Sequence, residues 1–329
     1  MRSSEPKIDV VGIGSALLDF TVEVEESFLE AIHLNKGHMH LIDEQQSEAI
    51  FKQLKKYAIE KTPGGSSANT IAGIALLGGS GLFVGKVGND TNGQYYIEET
   101  ERIGVQTRIG KHERMTGHAI TFITPDSERT FATHLGASLH LTEDDVVDED
   151  IQRGRILHIE GYLLENEGQR EACFRAMHIA KEKGIKVSID LADPALIGRN
   201  RDDFIDIVRE FAAVVFVNDV EAVAFTGKEE EAALHQLAEM CDVAVVKLGS
   251  KGSMIKAHDA VCRIPAFRTL VENTNGAGDM YAAGVLYGIA RNIPIERAGL
   301  IGSYAASRVV SQKGARLDAA LDINKLPSI

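Results

Sequence analysis

Apolar and polar positions follow two rhythms along this chain. Residues 8–14 are mostly apolar and end in Gly-x-Gly, the pattern of a strand buried on both faces that runs into a turn. Residues 18–24 alternate apolar with polar, as a strand with one wetted face does, and residues 37–42 repeat that alternation over a shorter span. Within residues 43–59, Ile50, Leu54 and Tyr57 recur at helical spacing. A second apolar helix is expected from the Gly64-Gly65 pair to Leu77, then a strand over 81–88 and a turn over 89–93 that opens another helix. From 106 to 125, and again from 129 to 137, the alternation returns through Arg108, Met115, His118, Ile120 and Phe122, predicting strands and not core helix.

Beyond Leu141 the rhythm becomes strand, helix, strand. Strands are predicted over 156–159, 187–190, 214–217 and 243–247, with helices over 167–183, 202–211 and 229–240 between and after them. A strand-like segment over 266–271 precedes helices over 278–291 and 295–312. This alternation predicts an α/β fold: a parallel sheet with helices on both faces. The earlier alternating strands do not suit such a sheet and predict a small accessory sheet. The acidic run at 146–150 reads as a solvated face.

Composition narrows the class. With 329 residues, 44% of them hydrophobic, the chain can bury a sizeable core without staples. Lys and Arg total 35 against 48 Asp and Glu, a formal charge of -13, which argues against a nucleic-acid polymer or an anionic membrane surface as partner. Small phosphorylated ligands remain compatible, because backbone dipoles and one or two lysines hold them locally. Cys173, Cys241 and Cys262 include no close pair, so neither a zinc site nor a redox motif is expected, and a reducing, cytoplasmic setting is. Residues 1–6 are polar, with no signal-peptide core, and no later apolar run approaches membrane-spanning length.

Candidate chemistry concentrates in residues 273–279, Asn-Thr-Asn-Gly-Ala-Gly-Asp, immediately before the helix formers that begin at Met280. Three small residues at a helix start leave bare backbone N–H groups at a terminus with partial positive charge, an anion site. A carboxylate beside such a site opposes the local field unless it has a task, and Asp279 is suited to take a proton from an attacking hydroxyl. Pro63-Gly64-Gly65-Ser66-Ser67-Ala68-Asn69 also opens a helix, with glycines, hydroxyls and an amide suited to close approach of a polar ligand. Gly12-Ile13-Gly14 lacks the third glycine of a dinucleotide fingerprint.

In this order, the segments resemble the ribokinase-like (PfkB) carbohydrate and nucleoside kinases over nearly the whole chain, most specifically at Gly276-Ala277-Gly278-Asp279. The resemblance implies a single ribokinase-like kinase domain over 1–329, a parallel-sheet sandwich whose small β-sheet lid is formed by segments about 16–43 and 106–135. It implies that Asp279 is the catalytic base and that the backbone of Gly276, Ala277 and Gly278 forms the anion hole for the γ-phosphoryl group, which suits a reaction governed by positioning and charge stabilisation. Gly64, Gly65 and Asn69 match the sugar-binding signature, and Asp19 matches the acid that holds two neighbouring sugar hydroxyls. Glu160 falls at a strand end of the kind that faces the sugar, and Arg129 is suited to neutralise phosphates on lid closure. Asn218-Asp219-Val220-Glu221 resembles the family's Asn-x-x-Glu motif, with Glu221 organising Mg²⁺ through water. Lys247, Gly249 and Gly252 resemble the element that flanks ATP. Asn273 departs from the family's usual Asp, at a position associated with K⁺, so a K⁺ requirement is in doubt. Ser311 and Gly314 match the region that completes that loop and borders the adenine.

The expected activity is transfer of the γ-phosphoryl of ATP to the primary hydroxyl of a ribosyl compound, with adenosine or a related nucleoside favoured by the segments Arg129–Ala137 and Ile159–Leu163. The alternatives are a free-sugar kinase acting on ribose, fructose or 2-keto-3-deoxygluconate, and a nucleoside- or sugar-binding regulator with weak catalysis. Phe20, Met39, Phe122 and Leu135 are candidates for the apolar lid side chains that would cover a base. The partner set is a small-molecule nucleoside or sugar, with a homodimer through the lid as a further expectation.

Overall fold

The computed structural model describes residues 7–326; the polar lead at 1–6 lies outside them. Fourteen strands occur among the described residues: β1 (Ile8–Ile13), β2 (Leu17–Glu23), β3 (Met39–Leu41), β4 (Ile59–Gly64), β5 (Gly81–Gly88), β6 (Gln106–His112), β7 (His118–Ile123), β8 (Arg129–His134), β9 (Gly154–Glu160), β10 (Lys186–Asp190), β11 (Ala212–Asn218), β12 (Val243–Lys247), β13 (Ser253–Ala257) and β14 (Ala260–Ile264). Nine form one sheet in the order β14-β13-β12-β11-β10-β9-β1-β5-β6, parallel from β12 to β6, with β13 and β14 added antiparallel at one edge. The other five form a second sheet in the order β3-β8-β7-β2-β4.

Helices on both faces explain why the central strands are uninterruptedly buried. All six residues of β1 are buried: Val11 and Ile13 face a cluster completed by helices Glu167–Lys183 and Arg201–Phe211, while Val10 faces the opposite cluster, beneath helices Ser66–Leu76, Ala277–Ala290 and Ile295–Val309. The second sheet buries one face only. In β2, Leu18, Phe20 and Val22 point into the core with Ile120 and Phe122 of β7, over Phe28 of helix Glu26–Ala31 and Ile50 and Leu54 of helix Glu44–Leu54. The intervening side chains face the opposite way.

Four expectations are corrected. Gln106–His112 belongs to the large sheet, parallel to β5, and not to the lid. As an edge strand it shows the same half-wetted alternation as a lid strand. The small sheet gains Ile59–Gly64, which pairs antiparallel with β2 and whose Pro63 is tolerated on an edge strand. Residues 266–271 form no strand: Ala266, Phe267 and Val271 line a cavity, and Leu270 is exposed. The acidic run is not wholly a solvated face either, since Asp150 is buried and accepts a hydrogen bond from Arg108 Nε at 2.6 Å. Among the described residues, no helix is long and apolar enough to cross a membrane.

Candidate active site

Four neighbouring parallel strands end in polar side chains: Glu160 on β9, Asp190 on β10, Asn218 on β11 and Lys247 on β12, with Asp190 in register with Glu160 and Asn218 with Lys247. The carboxyl ends of such strands are where open α/β sheets bind ligands. A cleft of about 630 Å³ lies over this edge, lined by Asp19, Asn69, Asp190, Asn218, Glu221, Lys247 and residues 275–279 among others. Lys247 Nζ donates to Asp190 Oδ2 at 2.7 Å. Burial works against the lysine's charge, yet Asp190, Glu221 and Asp279 hold its pKa above the ordinary value. Glu221 is also buried, which raises its carboxyl well above the usual range although Lys247 opposes the shift. Asn218 and Glu221 form a reciprocal helix cap: Asn218 N–H donates to Glu221 Oε2 at 2.7 Å and Glu221 N–H to Asn218 Oδ1 at 2.8 Å. Cap and cleft residue are therefore one arrangement.

Two helix N-termini meet above this edge. Helix Ala277–Ala290 starts after Gly276, whose φ of 76° and whose contact with the chain at 315, where a Cβ would lie 2.0 Å from Ala315 O, exclude any side chain. Asp279 sits in its first turn and accepts from Ser66 Oγ at 2.8 Å and Asn69 Nδ2 at 2.9 Å, both on the first turn of helix Ser66–Leu76. Burial pushes the Asp279 carboxyl up to about 6; the Asn69 and Ser66 hydrogen bonds pull it down, Asp190 raises it and Lys247 lowers it. A carboxylate poised there is a competent proton acceptor near neutral pH; of the expected anion-hole amides beside it, Ala277 N–H donates to Thr274 O at 3.3 Å.

The second sheet forms the other wall. Asp19 lines the cleft from β2, pushed up to about 6 by burial, with Arg316 lowering and Asp279 raising its pKa. Gly64 does not line the cleft; it makes room for Asp19, since a Cβ there would stand 2.4 Å from Asp19 Oδ2. Gly65 lines it, in a backbone conformation with φ 93° and no space for a Cβ beside Ser15 O. Pleating determines the rest of the wall. Ala119 and Thr121 of β7 and Phe131 of β8 line the cleft, each on the same face as Asp19 through the pairings Asp19↔Ala119 and Thr121↔Phe131. Phe20 and Phe122 lie on the opposite, core face, Met39 is exposed on the edge strand, and none of them, nor Leu135, lines the cleft.

Two other expected ligand residues are placed differently. Glu160 does not reach the cleft; it is buried, and its two oxygens accept from Ser15 N–H at 2.8 Å and Ser67 N–H at 2.7 Å. Burial raises it to about 7 while those amides lower it, so it ties the turn after β1 to the start of helix Ser66–Leu76. Arg129 bonds to the loop before helix Ala277–Ala290: Nη1 donates to Asn273 Oδ1 and Nη2 to Glu272 O at 3.0 Å. Asn273 Oδ1 also accepts from Asn275 N–H at 2.9 Å, and its Nδ2 donates to Lys313 O at 2.6 Å.

A second, largely apolar cavity of about 580 Å³ adjoins the cleft, the two sharing Gly249, Gly252, Ala277, Tyr281 and Ala306. Phe267, Val271, Thr274, Ser307 and Val310 line it, whereas Ser311 and Gly314 do not. Sequence reasoning gave no role to Asp190 or Arg316, and read Ser66 only as a hydroxyl near a polar ligand and not as a donor to Asp279. A charged residue ending the apolar run Val187-Ser188-Ile189 was a usable signal for Asp190; the other two depend on contacts across more than 200 residues. Among the described residues, no three His, Cys, Asp or Glu side chains are grouped to hold a metal by themselves. Asp190 and Glu221 are oxygen donors suited to Mg²⁺, which keeps much of its water and takes further ligands from phosphates.

Comparison with known proteins agrees with this geometry. The chain is 29% identical over 323 residues to 5-dehydro-2-deoxygluconokinase of Bacillus velezensis, covering 94% of this chain and 91% of that one. It superposes on adenosine kinase from Sinorhizobium meliloti with a TM-score of 0.86 and 32% identity, covering 95% and 97% of the two chains. Schistosoma mansoni adenosine kinase, solved with 2-fluoroadenosine, shares the fold at a TM-score of 0.82 and 20% identity, covering 96% and 99%. Residues 38–321 match the model of the pfkB family carbohydrate kinases. With that match over most of its length, and a carboxylate set between two helix N-termini at the carboxyl edge of its sheet, the chain belongs to the PfkB family of kinases, which phosphorylate sugar hydroxyls with ATP and Mg²⁺.

Proposed function

We propose that this kinase transfers the γ-phosphoryl group of ATP to the primary hydroxyl of a neutral ribosyl compound, adenosine or a related nucleoside. The observation that carries this reading is the charge inventory of the cleft. Five carboxylates, Asp19, Asp190, Asp219, Glu221 and Asp279, line it with one cation, Lys247, which is already bonded to Asp190. An acceptor with its own carboxylate would meet no unpaired cation there, and a neutral sugar would meet the hydroxyl acceptors it needs. Ala119, Thr121 and Phe131 add the apolar surface that a purine requires.

In this reading Asp19 and Asn69 hold ribose hydroxyls, and Asp279 accepts the proton of the attacking hydroxyl as its oxygen bonds to the γ-phosphorus and the bond to the ADP oxygen breaks. The N–H groups at the start of helix Ala277–Ala290 and the Lys247 ammonium take the charge of the transferring group. Asp190 and Glu221, with water, would hold Mg²⁺, which would supply positive charge against the phosphates. The adenine of ATP lies in the apolar cavity beyond Gly249 and Gly252. Closure of the small sheet excludes water, and exposed Met39 and Leu41 on its edge strand would be the contact of a homodimer.

The second reading is a kinase for a free sugar or sugar acid, favoured by the relatives named 5-dehydro-2-deoxygluconokinase. Phosphotransfer from labelled ATP to a panel of adenosine, other nucleosides, ribose, fructose, 5-dehydro-2-deoxygluconate and 2-keto-3-deoxygluconate separates the two. Preferred turnover of adenosine supports the first reading; preferred turnover of either acid overturns it and retains only the roles of Asp279 and the anion site. Ligand binding without turnover on any acceptor would instead support a binding regulator.

A further inference from the structure

We propose that Arg316 is a positioning residue for this reaction: it fixes which end of the Asn69 amide faces Asp279, and so holds the base in its working orientation. The inference rests on the kinase reading above. Arg316 belongs to the segment that follows helix Ile295–Val309, and its Nε donates to Asn69 Oδ1 at 2.8 Å. Asn69 is buried, and its other end donates from Nδ2 to Asp279 Oδ2 at 2.9 Å.

An Asn side chain has nearly the same shape in its two amide orientations, so packing alone does not select between them; hydrogen bonding does. Turned over, Asn69 would set its carbonyl oxygen against the Asp279 carboxylate and its amino group against a guanidinium. Arginine has five donors and no acceptor and stays protonated, so the oxygen must face Arg316 and the N–H₂ group must face Asp279. A neutral side chain does not impose this, and a lysine, also a donor without an acceptor, does so from one nitrogen without the fork that anchors the guanidinium to Gly64 and Tyr96.

The guanidinium is itself held. Its Nη2 donates to Gly64 O at 3.1 Å and to Tyr96 OH at 3.4 Å, while Tyr96 OH donates to Gly64 O at 3.0 Å. Tyr96 is buried beneath it, with the guanidinium carbon 5.8 Å from the ring centre. One side chain from the C-terminal segment thus connects the end of β4, the first turn of helix Ser66–Leu76 and, through Asn69, the first turn of helix Ala277–Ala290. It lies outside the cleft lining and is not a catalytic residue.

The charged groups acting on Asp279 include Asp190 and Lys247 from the large sheet, and Asp279 in turn acts on Asp19 and Glu160; Arg316 acts directly on Asp19 and Tyr96. Loss of Arg316 removes a cation near Asp19 and frees the donor that favours ionised Asp279. Both changes favour protonated carboxyls, so the acid limb of the rate profile should move to higher pH.

The test compares wild type with Arg316→Met and Arg316→Lys. For Arg316→Met, kcat is expected to fall about tenfold, a small part of the ~10²- to 10⁴-fold that a positioned base supplies, with the KM for ATP unchanged and the acid limb of kcat shifted upward. Arg316→Lys recovers part of both changes, because an ammonium still donates to Asn69 Oδ1. A Met variant with a lower thermal midpoint but wild-type kcat and acid limb would overturn the inference and leave a structural role. If the Met variant does not fold, Arg316→Gln, whose head can donate or accept, takes its place with the same expectations. Carboxyl ¹³C titration of Asp279, assigned with Asp279→Asn, reads the same point without turnover: a higher midpoint in the variant supports the inference and an unmoved one overturns it. Wild type that phosphorylates no acceptor would defeat the kinase reading alone, since that titration still decides the role of Arg316.

Discussion

The two walls of the cleft are built on different principles. On the proposed reading, the phosphoryl side consists of the carboxyl ends of β9 to β12 and two helix N-termini, where Glu160, Asp190, Glu221, Lys247 and Asp279 are hydrogen-bonded to backbone, to one another or, for Asp279, to the side chains of Ser66 and Asn69. The proposed acceptor side is one face of a five-stranded sheet, where Ala119, Thr121 and Phe131 present side chains with no hydrogen-bonding task toward the cleft. A transferring phosphoryl group is the same whatever the acceptor, so its wall gains from preorganisation. The opposite wall discriminates between acceptors by shape and apolar contact, which side-chain substitution on a pleated surface changes without disturbing the chemistry.

The largest expected effect lies on the phosphoryl side. Asp279→Asn retains the contacts of the side chain but removes the proton acceptor, so kcat should fall by about 10²- to 10⁴-fold while equilibrium binding of ATP is retained. Loss of ATP binding in parallel would make Asp279 part of the nucleotide site instead. In wild type, Asp279 and Asp19 are both pushed up to about 6. The base works only when deprotonated, so kcat/KM should be on its plateau above that pH and fall as pH drops through it. A profile flat down to pH 4 would remove the base role.

Next in size is Lys247→Met. Asp190 would remain buried without its partner, an arrangement that costs about 3–5 kcal/mol, measurable as a lower midpoint in urea. Unchanged stability would mean that the pair is already open to water.

The acceptor wall predicts smaller and more selective losses. Phe131→Ala should raise the KM for a nucleoside acceptor by about tenfold, within the ~1–3 kcal/mol of base–aromatic stacking, and leave the KM for ATP unchanged. Phe122→Ala, nine residues earlier and on the core face, should do the opposite: stability falls by about 3–5 kcal/mol while the acceptor KM of the folded fraction stays the same. If the two variants behave alike, the distinction between the faces fails.

This distinction also explains what the sequence made legible. The parallel sheet could be read because strands covered on both faces are continuous apolar runs, and residues 276–279 because small residues before a helix have few other uses. Alternation announced the strands of the second sheet without assigning them. Gln106–His112, an edge strand of the large sheet, carries the same pattern as a lid strand, and a shift of one position separates core-facing Phe122 from cleft-facing Thr121. Glu160 was legible as a strand-end acid, but its bonds to Ser15 and Ser67 depend on the packing of β9 beside β1.

The smallest expected effect concerns a second bridge between the walls, besides Arg316. Arg129 reaches from β8 to Asn273 Oδ1 and Glu272 O, in the loop before helix Ala277–Ala290, and Asn275 N–H takes the other side of the same Oδ1. With two donors on Asn273 Oδ1 and Nδ2 donating to Lys313 O, the side chain offers no free oxygen to a monovalent cation. Replacing K⁺ by Na⁺ should therefore leave wild-type turnover unchanged. Arg129→Met frees two carbonyl-type oxygens and loosens the small sheet from the loop, so kcat/KM should fall about fivefold, the equivalent of about 1 kcal/mol for a hydrogen bond. In that variant K⁺ should restore part of the rate, because the released oxygens are the hard donors such an ion takes. A wild-type enzyme that requires K⁺ would mean that Arg129 leaves Asn273 during turnover, and the two walls would then be joined by the substrates and not by the protein.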